Sequence, residues 1–209
     1  GVTGPDGQLG SELVKQGCIP LVGRLLRGDL DRSIRMAQPD VIINCAALTQ
    51  VDQCEHKPGA TFMANAVAVD WLSYVYPDIY LVQLSTDYVF DGIGGPFDIR
   101  TRPAPLSIYG LSKLASELIV RRHLGPSLIV RTTVLFSRSK NNFVTKIVEQ
   151  LRSGTKVPLP ALYGTPTYVP LLAKEMIRLI DLEATGLVHI AGSLFCSRAN
   201  FAEYIAIAY

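Results

Sequence analysis

The sequence predicts an α/β fold, a doubly wound parallel sheet with helices on both faces, and three observations carry that prediction. Short continuous apolar runs alternate with helical periodicity, the pattern of strands buried on both faces and crossed by helices. A glycine-rich turn, TGPDGQLG, stands at the head of the chain with Gly4, Gly7 and Gly10 three residues apart. One Tyr–Lys pair, Tyr109 and Lys113 in YGLSK, opens a helical pattern near the middle.

The elements follow in order. Gly4, Gly7 and Gly10 make a phosphate-cradling turn, with a helix over about 8–16 aiming its positive end at the anion. Such a turn follows a strand at the sheet centre, yet only Gly1, Val2 and Thr3 precede it. The stretch from Arg24 to Asp29 is also short for its place, so the reading includes a natural chain longer than these 209 residues. Apolar runs near 19–23, 40–44, 79–84 and 127–130 read as strands. Helical periodicity marks 60–75, 109–122, 142–152, 170–181 and 198–208. DGIGGPF, with Pro103 and Pro105 behind it, forms a long loop that ends where the Tyr109 helix begins, a candidate lid.

Composition narrows the class. A chain of 209 residues that is 48% hydrophobic sustains one sizeable core, so a single domain over 1–209 is expected, with a small lobe from about 134–175 and 190–209. Net charge is +2 from 20 basic and 18 acidic residues without long like-charge runs, which speaks against nucleic-acid binding. Runs such as VIINCAA fall well short of a membrane span. Cys18, Cys45, Cys54 and Cys196 show no C-x-x-C and no His at ligand spacing, so they read as reduced cysteines in a cytoplasmic protein without a metal site. His56, His123 and His189 are scattered singly and read as surface or structural histidines.

Spacing supplies the chemistry. Residues four apart share a helix face, so Tyr109 and Lys113 lie side by side, and an ammonium there is expected to draw the tyrosine pKa down from about 10. Tyr109 becomes a usable general acid or base. Thr86 ends the apolar run IYLVQLS with a hydroxyl, and threonine is also simply a good strand former.

TGPDGQLG, DVIINCAALTQVD, STDYVFDG, YGLSKLASE, IVRTTVLF and TPTYV stand in the order seen in the extended short-chain dehydrogenases/reductases. STDYVFDG in particular resembles the dTDP-4-dehydrorhamnose reductase branch, which includes a regulatory subunit of methionine adenosyltransferase. The resemblance implies a Rossmann-type NAD(P)-binding domain whose small C-terminal lobe binds substrate. It implies NADPH, with NADH as the lesser cofactor, held by Gly4, Gly7, Gln8, Leu9, Arg24, Asp29, Leu30, Cys45, Ala46, Ala47, Tyr109 and Lys113. Arg24, after the second strand, suits a 2′-phosphate where an acidic residue would bond a 2′-hydroxyl. Thr86, Tyr109 and Lys113 become the catalytic set; Ser85, Thr86, Asn142 and Thr167 face a nucleotide-sugar substrate. Asn65 falls near the active site, and Arg131, Thr132 and Val134 match the nicotinamide-side segment.

The implied activity is reduction of a nucleotide-linked 4-keto-6-deoxysugar, as in dTDP-L-rhamnose synthesis, by a soluble protein with room for a homodimer. A cofactor-binding regulatory subunit and a nucleotide-sugar epimerase or dehydratase are the alternatives. Val134 stands where rhamnose-forming members often have tryptophan, Leu171 where an Asp is common, and no acidic set matches the magnesium ligands of some bacterial members.

Overall fold

The computed structural model describes residues 1–24, 28–138, 140–155, 159 and 161–209. Strand β1 (Val2–Thr3) leads through the glycine turn to helix α1 (Gln8–Lys15), then β2 (Pro20–Leu21), α2 (Asp29–Ala37) and β3 (Val41–Asn44). Helices α3 (Val51–His56) and α4 (Pro58–Phe62) run into a π-helical turn (Met63–Val67) that continues as α5 (Ala68–Val75). Strand β4 (Tyr80–Thr86) ends in a 3₁₀ turn (Asp87–Val89); α6 (Ile108–Val120) and β5 (Ser127–Thr132) follow. The remainder is β6 (Leu135–Phe136), α7 (Phe143–Ser153), β7 (Tyr163–Gly164), β8 (Thr167–Tyr168), α8 (Val169–Asp181), β9 (Gly186–His189), β10 (Cys196–Ser197) and α9 (Arg198–Ala208).

Six strands form one sheet in the order β2-β1-β3-β4-β5-β9, every pairing parallel. The chain runs outward from β1 to β2 and returns to β3 on the other side of β1, so strand order reverses between β1 and β3. In open α/β sheets, the crevice at the carboxyl ends of such strands binds ligands. Short as it is, β1 has both residues buried and pairs with β2 and β3 at once.

Neighbouring residues on each strand supply opposite cores. Val2, Ile43, Val82 and Val130 pack with Leu13 of α1 and Met176 of α8 on one face. Leu21, Ile42, Leu81 and Ile129 pack with Leu30 of α2, Leu72 of α5 and Val120 of α6 on the other. Each such side chain contributes about 1.5–3 kcal/mol on burial, which is why these runs are apolar without alternation. A third, smaller core joins Ile147 of α7, Cys196 of β10, and Phe201 and Ile205 of α9. Val169, Leu172 and Ala173 belong to the main core, so the separate lobe core excludes the α8 end of the 134–175 range.

The helices expected from periodicity are present within one or two residues, and α2, α3, β9 and the short strands β6, β7, β8 and β10 are additional. The expected strand over 19–23 is reduced to Pro20–Leu21. Residues 25–27, part of the short Arg24–Asp29 stretch, lie outside the described residues. Among the described residues, no helix is long and apolar enough to cross a membrane, and no group of three or more His, Cys, Asp or Glu could hold a metal ion. The four cysteines are free.

Candidate active site

The glycine turn closes against the crevice. Gly4 has φ +63°, a left-handed conformation that favours glycine, and an added Cβ would come within 3.0 Å of Ala46 backbone atoms. A Cβ on Gly10 would stand 2.1 Å from the Gly4 carbonyl oxygen, so α1 approaches the turn as closely as its backbone permits. Gly10→Ala is therefore expected to destabilise the protein by about 1–3 kcal/mol, the usual range for overpacking; a melting temperature equal to the parent's would refute the packing role.

Buried polar groups hold the crevice floor. Thr3 Oγ1 donates to Asn44 Oδ1 at 2.6 Å, Asn44 Nδ2 donates to Gln83 Oε1 at 2.8 Å, and the Ala46 amide donates to Thr3 Oγ1 at 3.3 Å. This chain crosses β1, β3 and β4 and fixes the Cys45–Ala46–Ala47 segment beside the glycines. Gln8 Oε1 is buried at the start of α1 with no hydrogen-bond partner. The free positive end of α1 and the close backbone approach of Gly4 together fit a dinucleotide pyrophosphate.

The expected cofactor residues are not all alike in this setting. Leu9 and Leu30 are core residues, buried among the apolar clusters; apolar side chains at helix starts are claimed by the sheet. Asp29 is exposed, and its Oδ1 accepts from the backbone amides of Arg24 and Leu30, both at 3.1 Å. Arg24 is exposed three residues after β2.

At the end of β4, Thr86 caps the 3₁₀ turn by accepting from the Tyr88 amide at 3.2 Å, and its hydroxyl donates to Asp87 Oδ1 at 3.1 Å. The Thr86 hydroxyl also acts on the Tyr109 phenol, so the two side chains are neighbours. Ser107 caps α6, accepting from the Gly110 amide at 3.0 Å, which starts the helix so that Tyr109 and Lys113 face the strand end. A Cβ on Gly110 would lie 2.2 Å from the Tyr88 carbonyl oxygen, so glycine lets the helix reach this position. Asn65, in the π-helical turn, bonds the Leu48 backbone on both sides at 2.7 and 3.0 Å and donates to Ser112 Oγ at 2.9 Å. It ties the crevice loop to α6, a use consistent with the frequency of π-turns at functional sites.

The electrostatics reverse one expectation. Burial pushes the Tyr109 phenol up to about 12, with the Thr86 hydroxyl pulling against it and the Asp87 carboxylate adding to it; Lys113 does not act on it. Lys113 is itself buried, and desolvation brings its pKa down to about 8 against the raising pull of Cys45 and Glu117. Four-residue spacing puts the two on one helix, but loss of water sets the direction of both shifts. Burial likewise raises the Cys45 thiol to about 12 and lifts the Asp87 carboxyl, which accepts from Thr133 Oγ1 at 2.6 Å.

The three side chains expected on the substrate side have partners within the protein. Ser85 points to the opposite face of β4 from Thr86, and its hydroxyl donates to Glu117 Oε1 at 2.5 Å. Asn142 caps α7: its Oδ1 accepts from the Val144 and Thr145 amides, and its Nδ2 donates to the Ser137 and Lys140 carbonyls. Thr167 donates to the Thr165 carbonyl and accepts from the Gly192 amide, both at 3.1 Å, joining two loops. Arg131 turns away from the crevice into a buried ion pair with Glu117. Val134 has φ +40°, an outlier for a β-branched residue, and its carbonyl accepts from the Thr167 amide at 3.0 Å.

Asp87 and Glu117 were not among the candidate residues. Glu117 is detectable only as the buried helical position one turn after Lys113.

Relatives agree with this geometry. A dTDP-4-dehydrorhamnose reductase from Sinorhizobium fredii is 33% identical over all of this chain and 77% of its own length. A dTDP-4-keto-6-deoxy-D-glucose reductase from Streptomyces niveus is 36% identical over 90% of this chain and 70% of its own. The crystal structure of a Bacillus anthracis dTDP-4-dehydrorhamnose reductase in complex with NADP superposes with a TM-score of 0.92 at 31% identity, covering 99% of this chain and 79% of that one. The family model of the RmlD substrate binding domain matches residues 2–208, and the chain belongs to that family.

Proposed function

We propose that this chain is an NADPH-dependent reductase of a nucleotide-linked 4-keto-6-deoxysugar, of the dTDP-4-dehydrorhamnose reductase type. The observation that carries it is the Thr86–Tyr109 hydroxyl pair at the carboxyl end of β4, beside a glycine turn that fits a pyrophosphate. NADPH, when bound, supplies the hydride. Thr86 holds the carbonyl oxygen, and Tyr109 donates its phenolic proton to the alkoxide that forms there. A phenol raised to about 12 is fully protonated at neutral pH, the state a donor needs. Lys113 binds the nicotinamide ribose, and the helix α1 amides with Gly4, Gly7 and Ala46 cradle the pyrophosphate. The lobe of α7, β7, β10 and α9 covers the sugar nucleotide, with a homodimer as the working assembly and the cytoplasm as its place. Purified protein mixed with NADPH and a dTDP-4-keto-6-deoxysugar should lose the reduced-nicotinamide absorbance; none lost would remove the reading.

Cofactor choice follows from Arg24. A guanidinium grips a 2′-phosphate by two parallel bonds, and charged hydrogen bonds contribute about 1.5–3 kcal/mol, roughly tenfold to a hundredfold in affinity. Arg24→Ala should weaken NADPH binding by about that factor and leave NADH unchanged. Titration of both cofactors checks it; an equal loss for both would assign Arg24 to the adenine pocket instead.

A further inference from the structure

Behind the hydroxyl pair lies a second connection between the same two elements. Glu117 sits one turn after Lys113 on α6, and its carboxylate accepts from Ser85 of β4 at 2.5 Å. Arg131 of β5 closes on that carboxylate with two parallel bonds, Nε to Oε1 at 2.8 Å and Nη2 to Oε2 at 2.7 Å. Both charged side chains are at most 3% exposed. The guanidinium lies 5.0 Å from the Phe90 ring centre, and its Nη1 is 3.4 Å from His189 Nε2. Phe90 in turn stacks on Phe97 of the loop before α6, with ring centres 4.5 Å apart.

A buried ion pair is seldom retained for stability, because desolvating two charges costs as much as their attraction returns. This one has a different use available to it. Ser85 and Thr86 are consecutive on β4, and Glu117 and Tyr109 share α6, so the strand end and the helix are joined at two points. One is the meeting of the Thr86 and Tyr109 hydroxyls, which a carbonyl oxygen must enter between. The other, Ser85–Glu117, faces away from the crevice and stays.

We propose that Glu117, oriented by Arg131 and bonded to Ser85, is a positioning device that keeps Tyr109 and Thr86 at reacting distance around an entering carbonyl oxygen. It deepens the reductase reading and rests on it. None of the three residues touches substrate or cofactor; they act through the spacing of β4 and α6.

Glu117→Gln alone leaves Arg131 buried without its counter-charge and is prone to misfolding. Ser85→Ala is the informative variant, since it removes one hydroxyl and leaves the ion pair intact. Its kcat should fall about tenfold, with KM and the NADPH dissociation constant unchanged, the pattern of an interaction used only in the transition state. Ser85→Thr, which keeps the donor, should recover most of the loss. A second readout does not depend on turnover: in protein labelled with [¹³Cζ]tyrosine, the Tyr109 signal, assigned by its absence in Tyr109→Phe, should shift in Ser85→Ala as its position against Thr86 is disturbed. A lowered melting temperature with unchanged kcat and an unmoved Tyr109 signal would overturn the proposal, leaving Ser85 as packing. If the parent itself reduces no 4-keto sugar, the reductase reading fails and the Tyr109 signal alone decides whether Glu117 positions the pair.

Discussion

Tyr109→Phe should lose about 10²- to 10⁴-fold in turnover, the span a general acid contributes, and bind NADPH as the parent does. The ring keeps its place through packing, since Tyr88 meets it edge-on at 5.6 Å. What disappears is the hydroxyl that lies beside Thr86 and carries a proton at neutral pH. Water is a poor substitute in so buried a position, so the residual rate reflects only hydride delivery and substrate orientation. Single-turnover reduction with the variant saturated in cofactor separates chemistry from binding. Turnover within a few-fold of the parent, with NADPH bound normally, would take the proton donor away from Tyr109 and direct attention to the Asp87 carboxyl, which burial keeps unusually basic and which lies against Thr86.

The parts legible in the sequence are those where one periodicity decides. Helices α1, α6 and α8 each carry a buried stripe, and β3, β4 and β5 are apolar on both faces, so both period and length identify them. Strand β9 escaped because Gly186–His189 opens on a glycine and is only partly buried at the sheet edge. Helix α2 escaped because four of its nine residues are acidic or basic and surround its two buried positions, Leu30 and Ile34, which leaves little apolar run to notice. The site was legible as spacing and not as direction. A motif gives Ser85, Leu30 and Asn142 the right address, but whether a side chain turns to the crevice, the core or a helix end depends on which neighbour needs it. Arg131 and Glu117 are fourteen residues apart in sequence with no pattern linking them; only the packing of α6 on β5 makes them a pair. Solvent exclusion is the other quantity a spacing argument lacks, and it sets the pKa directions of both Tyr109 and Lys113.

Lys113→Met should make the cofactor-free protein more stable while it loses NADPH binding. Lys113 is 3% exposed, and its pKa is brought from 10.5 down to about 8 because burial penalises the ammonium. The folded pKa therefore lies below the unfolded one. Below about pH 8 the ammonium is charged in both states and its desolvation cost is felt in full; between about 8 and 10.5 the unfolded chain holds the extra proton, so stability rises with pH. A depression of that size corresponds to ~3 kcal/mol, which Met, of similar length and without a charge, does not incur. Denaturant titrations of parent and variant should differ by about this amount at pH 7 and converge as pH rises toward 10. Such a cost is retained where a group has another task. The same ionisation should appear in catalysis, with kcat/KM of the parent falling above about pH 8 as the ammonium proposed to hold the nicotinamide ribose is lost from the free enzyme. A variant less stable than the parent at pH 7, or a stability gap that does not change with pH, would mean that Lys113 is paired well enough in the folded protein to bear its charge at no cost.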